Sequence, residues 1–274
     1  MSDRMREGYG PSAAALRQLK SAGASVAITV DCGITGFAAL EDAAAIGLDV
    51  IVSDHHVAEP ALPMAHAIVN PNRLDESFPH RNLAAVGVTY LLVVALNRAL
   101  RRAGWYTASR PEPDLLQWLD LVALGTICDV VPLGGLNRAL TAQGLKVMGK
   151  RGNVGIGVLC DVARVNERLE GFHCGFLLGP RVNAGGRVGR SDLGARLLST
   201  DDPALALELA RELDALNDER RALEADVLAQ AIALAEEEAA RNPHILMLAA
   251  EGWHPGIIGI VAGRLKDRYQ RPVC

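Results

Sequence analysis

The stretch Asp49-Val50-Ile51-Val52-Ser53-Asp54-His55-His56 decides the fold of this chain. Val50, Ile51 and Val52 form a continuous β-branched run, which is typical of a strand buried on both faces of a parallel sheet. The run ends in one carboxyl group and two imidazoles. Ligands of open α/β sheets bind beyond the carboxyl ends of the strands, so this stretch predicts a metal or phosphate site there. Imidazole nitrogen combined with carboxylate oxygen suits divalent ions such as manganese or zinc.

A structural role is the alternative for each of these polar residues. A single histidine or aspartate at a strand end is more often a cap or a hydrogen-bonded buried group than a ligand. Taken alone, His55 or His56 is therefore better explained by structure than by function. Three adjacent polar groups after an apolar strand all need partners, and a cation with a phosphate would supply them. The triplet as a whole favours a ligand site.

Two further aspartates strengthen the prediction of a metal site. Asp31 follows a predicted strand at residues 25–30, and a predicted helix at residues 35–46 leads from it to the Val50 strand. This β-α-β unit makes the two strands parallel, so Asp31 and Asp54 should share one edge of the sheet. Asp129 ends a predicted helix at residues 114–126. The helix dipole disfavours an anion at that end, which favours a ligand role over a cap.

The remaining chain contains predicted strands, helices and one unusual loop. Strands are predicted at residues 65–69 and 244–249, and helices at residues 83–103, 137–149, 154–164 and 256–269. Residues 179–190 carry three arginines among glycines and one asparagine. Glycine lets a backbone approach a ligand, and forked guanidinium donors suit phosphate. This pattern predicts a phosphate-binding loop, although a charged run is more commonly a solvated surface.

Composition limits the protein class. The chain has 274 residues, half of them hydrophobic, and a formal net charge of −4. Binding to a polyanion would therefore depend on local basic patches rather than on the whole-chain field. Five scattered cysteines form no Cys-x-x-Cys pair, which indicates reduced thiols in a cytoplasmic protein. Neither a signal peptide nor a membrane-spanning segment is predicted.

A long helix divides the predicted domains. Residues 204–242 contain neither glycine nor proline, and leucines recur at helical spacing. Such a helix is roughly 55 Å long at 1.5 Å per residue. We therefore predict an α/β fold with a parallel-sheet domain at residues 1–200, a connecting helix at 201–242, and the start of a second α/β domain at 243–274.

Several motifs, taken together and in this order, resemble the DHH phosphoesterase family. The resemblance extends from Arg4 to Val273 and is carried by five stretches: Asp54-His55-His56, Val30-Asp31-Cys32-Gly33, the segment around Asp129, Gly179-Pro180-Arg181-Val182-Asn183-Ala184-Gly185-Gly186-Arg187, and Trp253-His254-Pro255-Gly256. They are most similar to the members that degrade single-stranded DNA from 5′ to 3′ in repair and recombination. The first domain would be the DHH domain, and the segment from His244 would begin the DHH-associated domain.

The resemblance implies roles for individual residues. It implies that a manganese or magnesium pair is bound by Asp31, His55 and Asp129. The residues implied in catalysis are Asp54, which would orient the cluster, and His56, which would face the scissile phosphate. It implies that single-stranded DNA is contacted by Arg181, Asn183 and Arg187, and at its 5′ end by Arg4.

The resemblance also implies that part of the family pattern lies outside this chain. The first family motif, Asp-x-Asp-x-Asp-Gly at the end of the first strand, would precede Arg4, and the associated domain would continue beyond Cys274. We therefore expect a fragment with an incomplete two-metal site and reduced or no activity. Two alternatives stay open: a DHH phosphodiesterase acting on short RNA or cyclic dinucleotides, and a catalytically inert nucleic-acid-binding protein. The implied protein is a monomer that acts with other repair proteins.

Overall fold

A computed structural model describes Gly8 and residues 10–274. The first half of the described chain forms the α/β part of the fold. Its elements, in chain order, are α1 (Ala13–Ser21), β1 (Val26–Val30), α2 (Phe37–Ala45), β2 (Asp49–Ser53), β3 (Ala67–Val69) and α3 (Ala85–Arg102). The strands form a parallel sheet in the order β1-β2-β3. The predicted parallel β-α-β unit and the α/β fold class are thus confirmed.

The register of the sheet brings the strand-end residues together. Val30 of β1 is opposite Ser53 of β2, so Asp31 and Asp54 leave neighbouring strands at the same edge. Val50 and Val52 are buried, as expected for the central strand of a sheet that is covered on that face. Alternate side chains of β1, those of Val26, Ile28 and Val30, are exposed because no described segment covers that face of the strand.

The second half of the chain is helical. A 3₁₀ turn (Leu115–Trp118) leads into α4 (Leu119–Cys128). The sequence predicts one continuous helix here, but the Asp114 side chain accepts a hydrogen bond from Leu116 N and so caps a separate 3₁₀ turn. The following elements are α5 (Gly135–Met148), α6 (Val154–Val162), a π-helix (His173–Leu178), α7 (Gly179–Val188), α8 (Leu193–Ser199), α9 (Pro203–Arg241) and α10 (Pro255–Tyr269).

The long helix α9 packs along two separate apolar clusters. Its first half, through Leu209 and Leu213, is buried against α4 to α8. Its second half, through Val227 and Ala231, is buried with α10. Asp202 begins the helix by accepting from two backbone N–H groups, as its position before a proline predicts. The domain boundaries at residues 200 and 242 stay a prediction.

The predicted loop conformation at residues 179–190 is wrong, because residues 179–188 form helix α7. Phosphate binding by this segment stays a prediction. Its glycines serve helix packing. A Cβ atom on Gly179 would lie 2.4 Å from the Cys128 sulfur, and one on Gly185 would lie 2.7 Å from the carbonyl oxygen of Arg190. Glycine is needed at both positions because neighbouring segments approach the helix axis more closely than a methyl group allows.

The neighbouring glycines Gly185 and Gly186 provide a test of this packing role. Gly185→Ala should lower the free energy of unfolding by about 1–3 kcal/mol because the added methyl group has no room. Gly186→Ala, the matched control, has nothing within 4 Å of the new Cβ and should raise it by about 0.5–1 kcal/mol through helix propensity. Urea unfolding measures both. Equal effects of the two substitutions would contradict the packing role.

The predicted strand at residues 244–249 is also wrong. This segment forms a single parallel bridge, Leu246 to Val273, with hydrogen bonds to the residues on either side. A strand needs a partner along its length, and among the described residues only 272–274 pair with this segment.

None of the helices in the described part of the chain is long and apolar enough to cross a membrane.

Candidate metal centre

Three of the predicted ligands meet at the carboxyl edge of the sheet. The Nε2 atom of His55 lies 3.3 Å from Oδ1 of Asp31 and 3.4 Å from Oδ2 of Asp129. Asp31 and His55 arrive at the ends of β1 and β2, and Asp129 caps the end of α4. One imidazole and two carboxylates from three different elements therefore face a common point.

The tautomer of His55 makes this point suitable for a cation. Its Nδ1 atom lies 3.1 Å from the carbonyl oxygen of Leu83, an acceptor, so Nδ1 carries the proton in the neutral ring. The Nε2 lone pair then faces the two carboxylates, and this buried atom has no hydrogen-bond partner among the described residues. Acceptors facing one another need a proton or a cation between them.

The electrostatics of the cluster indicate the same requirement. The Asp31 carboxylate raises the pKa of His55, against the opposing effect of burial, and Asp129 raises it further. Burial raises the pKa of Asp129, and Asp31 adds to that rise while His55 opposes it. His55 and Asp129 thus hold a proton more tightly than usual, His55 mainly because of the Asp31 carboxylate and Asp129 mainly because of burial, and the two carboxylates bring negative charge to one point. A divalent ion would neutralise this charge.

The backbone has an uncommon conformation at one predicted ligand, Asp31, and at the residue that follows another, Asp129. Asp31 has a φ of 63° and Val130, directly after Asp129, has a φ of 58°. Aspartate adopts the left-handed region fairly readily, but a β-branched valine does so only under strain. Strained backbone of this kind clusters at functional sites, where surrounding contacts enforce it.

Asp54 anchors the loops that carry the ligands. Its side chain is buried, and its two oxygens accept hydrogen bonds from the backbone N–H groups of Ile34 at 3.0 Å and His55 at 2.7 Å. The backbone and the ring of His56 also donate to it, the ring through Nδ1 at 2.7 Å. Burial acts to raise the pKa of Asp54, but these donors outweigh burial and lower it. Asp54 is therefore an ionised, fully satisfied carboxylate that joins the ends of two strands.

His56 stands beside the cluster rather than within the core. Its ring lies edge-on to that of His55, with centroids 4.6 Å apart. One ligand atom each from Asp31, His55 and His56 lies within 4.8 Å of the others, a spacing that fits a metal ion. Because its Nδ1 faces Asp54, Nε2 is directed away from that carboxylate. This geometry is compatible with the predicted role of His56 towards a phosphate, which stays a prediction.

Sequence reasoning missed the amide clamp that holds the histidines. After β3, the Asn70 side chain donates to the His56 carbonyl at 3.0 Å and the Asn72 side chain donates to the His55 carbonyl at 2.5 Å. Asn70 also accepts from the Asn72 backbone. The signal was available, because both asparagines follow a strand at the same sheet edge as Asp31.

The predicted nucleic-acid-binding residues have different surroundings in the structure. Arg181 is largely buried, and its Nε donates to Asp214 of α9 at 2.8 Å. Arg187 donates to the Gly256 carbonyl at the start of α10 at 3.2 Å. Asn183 lies exposed on α7. Arg4 lies outside the described residues. Arg181 thus connects two helices, and its predicted contact with DNA stays a prediction.

Comparisons with known proteins agree with this geometry. The profile of the DHH family, N-terminal domain, matches residues 3–126. The chain is 43% identical to the single-stranded-DNA-specific exonuclease RecJ of Escherichia coli, across 99% of this chain and 48% of that protein. It is 39% identical to the RecJ of Bacillus subtilis, across 98% of this chain and 33% of that protein. The chain thus spans about half the length, or less, of these curated relatives.

Solved structures show the same fold. A crystal structure of exonuclease RecJ bound to manganese superposes with a TM-score of 0.83 at 34% identity, covering 99% of this chain and 66% of that one. RecJ from Thermus thermophilus in complex with Mn²⁺ gives a TM-score of 0.79 at 34% identity, covering 94% of this chain and 37% of that one. With the aspartate and histidine cluster at the sheet edge, residues 3–126 match the DHH family, and the chain resembles the RecJ proteins along nearly its whole length.

Proposed function

We propose that this chain contains the metal centre of a phosphodiester hydrolase that degrades single-stranded DNA from its 5′ end. The observation that carries the proposal is the convergence of His55 Nε2 on the carboxylates of Asp31 and Asp129, at 3.3 Å and 3.4 Å. The names of the relatives specify single-stranded DNA, and the two solved structures contain manganese. The 5′-to-3′ direction rests on the family resemblance.

The residues present fit a manganese or magnesium ion. His55, Asp31 and Asp129 would hold it, since imidazole and carboxylate ligands suit manganese and carboxylates suit magnesium. When bound, such an ion polarises phosphoryl oxygens and lowers the pKa of coordinated water. This chain supplies three such ligands, and further ligands would complete a two-metal site.

The chain's own residues hold the reacting groups in place. Asp54 fixes the backbone of both histidines and the ring of His56, and the Leu83 carbonyl holds the ring of His55, so neither imidazole can rotate freely. Asn70 and Asn72 hold the same segment from the other side through its carbonyls. A rigid set of ligands lowers the cost of organising the site around a substrate. We propose that the Nε2 side of the His56 ring, turned away from Asp54, faces a phosphate oxygen of the substrate.

The proposed surroundings of the site follow from the chain and its relatives. Single-stranded DNA is the proposed partner, with contacts from α7 through Asn183 and Arg187 and from Arg4. The five cysteines are all free thiols, which supports a cytoplasmic location. We propose a monomer that works with other repair proteins.

A nuclease assay tests the proposal. In a protein that joins this chain to the further ligands of the two-metal site, Mn²⁺ should support release of labelled mononucleotide from a 5′-labelled single-stranded oligonucleotide, and a 3′-labelled copy should shorten stepwise. The same oligonucleotide annealed into a blunt duplex is the control and should be degraded at least about tenfold more slowly. Equal degradation of both, or none of either with Mn²⁺ bound, would contradict the proposal. A length series down to dinucleotides separates it from a phosphodiesterase of short RNA or cyclic dinucleotides.

A further inference from the structure

Two exposed phenylalanine rings are stacked at the start of the π-helix that precedes α7, Phe172 directly before this helix and Phe176 within it. Phe172 is 60% and Phe176 is 70% exposed, their ring centroids are 5.2 Å apart, and their planes differ by 24°. These are two of only four phenylalanines in the chain. Large aromatic rings normally contribute to a core, so an exposed stacked pair marks an interaction surface. We refer to Phe172 and Phe176 as the phenylalanine pair.

The packing of the π-helix turns this pair outward. Glycine occupies the positions that touch α4: a Cβ on Gly171 or Gly175 would lie 3.9 Å or 3.5 Å from the Ile127 side chain. The buried ring of His173 fixes the same turn by bonding to Glu167 Oε1 at 2.9 Å. One side of the segment is thus pressed against α4, and the phenylalanine pair occupies an adjacent, solvent-facing side.

The position of the pair relates it to the metal centre. Ile127, which contacts the glycine side of the π-helix, is two residues before Asp129 in the last turn of α4. In the other direction the chain continues into α7, where Asn183 and Arg187 follow Phe176 by seven and eleven residues. Asn183 and Arg187 are four residues apart within α7, so they lie on one side of that helix. Two aromatic rings, an exposed amide and a guanidinium therefore follow one another, beginning beside the helix that ends at Asp129.

We propose that the phenylalanine pair is a stacking platform for unpaired nucleobases of a single-stranded nucleic acid. The proposal rests on the proposed function, because it takes the strand that reaches the metal centre as the occupant. Aromatic side chains stack on every type of base, which suits an enzyme that must degrade any sequence. Bases within a duplex have both faces covered by their neighbours. The platform would therefore favour single strands without reading their sequence.

Equilibrium binding of oligonucleotides with and without bases tests the platform. In EDTA, to prevent hydrolysis, the chain should bind a fluorescent oligothymidylate at least roughly tenfold more tightly than an abasic strand of equal length and charge. The double variant Phe172→Ala/Phe176→Ala should lose about 5- to 100-fold in affinity for oligothymidylate and bind both strands alike. Its circular dichroism should match the parent, since both rings are exposed.

Two further variants sharpen the result. Phe172→Tyr/Phe176→Tyr keeps both ring faces and should keep the preference for strands with bases. Leu116→Ala removes an exposed apolar side chain from the 3₁₀ turn and should change neither affinity. A parent without preference, or an alanine double variant that retains it, would overturn the platform while leaving the proposed function standing. Failure of the parent to bind either strand would contradict the proposed function itself.

Discussion

His55→Ala should lower the affinity of this chain for Mn²⁺ by about 100-fold or more. Among the described residues, His55 alone places an imidazole nitrogen within 4 Å of both Asp31 and Asp129, and the substitution removes it. Loss of a group that merely orients a metal ligand costs roughly 10- to 100-fold in affinity, and loss of a direct ligand costs at least as much. Isothermal titration of Mn²⁺ into metal-free protein measures the change.

His66→Ala is the matched control for this substitution. His66 lies next to Asp49, at the opposite end of β2 from His55, with its Nδ1 3.7 Å from Oδ1 of Asp49 and an exposed side chain. It also combines an imidazole with a carboxylate, but it lacks the second carboxylate and the burial. Its removal should leave Mn²⁺ affinity within a factor of two of the parent. A similar loss in both variants would show that bound metal is scattered over the surface.

Asp54→Asn should lower the free energy of unfolding by about 2–4 kcal/mol. An asparagine of the same shape can accept at one oxygen but presents an NH₂ group at the other. That group would oppose the backbone N–H of Ile34 or of His55, both of which now donate to a carboxylate. Urea unfolding at pH 7 measures the loss.

The same substitution should change the acid sensitivity of the chain. Because the donors around Asp54 lower its pKa in the folded state, the resulting stability is present above the ordinary aspartate pKa of about 3.9 and is lost as the pH falls towards the lowered value. The parent should therefore lose more stability than Asp54→Asn between pH 5 and pH 3. Asp49→Asn, at an exposed position, should change stability by less than about 0.5 kcal/mol and keep the parent's acid sensitivity. Identical pH curves for the parent and Asp54→Asn would contradict the anchoring role.

The parallel sheet and the edge that carries the cluster could be predicted from the sequence because both depend on local patterns. An apolar β-branched run identifies a buried strand, and the carboxyl ends of parallel strands meet at one edge. This rule places Asp31 and Asp54 at one edge of the sheet, and His55 directly follows Asp54. Asp129 was singled out by its position at the wrong end of a helix for an anion, and its side chain does face His55.

Features that depend on distant neighbours could not be predicted in this way. Glycines in residues 179–190 indicate a turn when only the local sequence is considered. Glycine is required at positions 179 and 185 for another reason: Cys128 lies against the first, and the Arg190 carbonyl and Leu213 lie against the second. Arg181 similarly finds its partner on α9, through Asp214. The backbone carbonyl that fixes the tautomer of His55 has no signature at all, since every residue has one.

That carbonyl has a thermodynamic consequence. Leu83 belongs to the turn before α3, 28 residues beyond His55, and its carbonyl keeps the proton on the Nδ1 side of the ring. Any ligand that takes up the opposite nitrogen therefore strengthens this hydrogen bond, and by reciprocity an ordered turn strengthens the ligand's hold. Occupancy of the sheet edge and closure of the turn that precedes α3 are thus coupled equilibria, joined through a single imidazole.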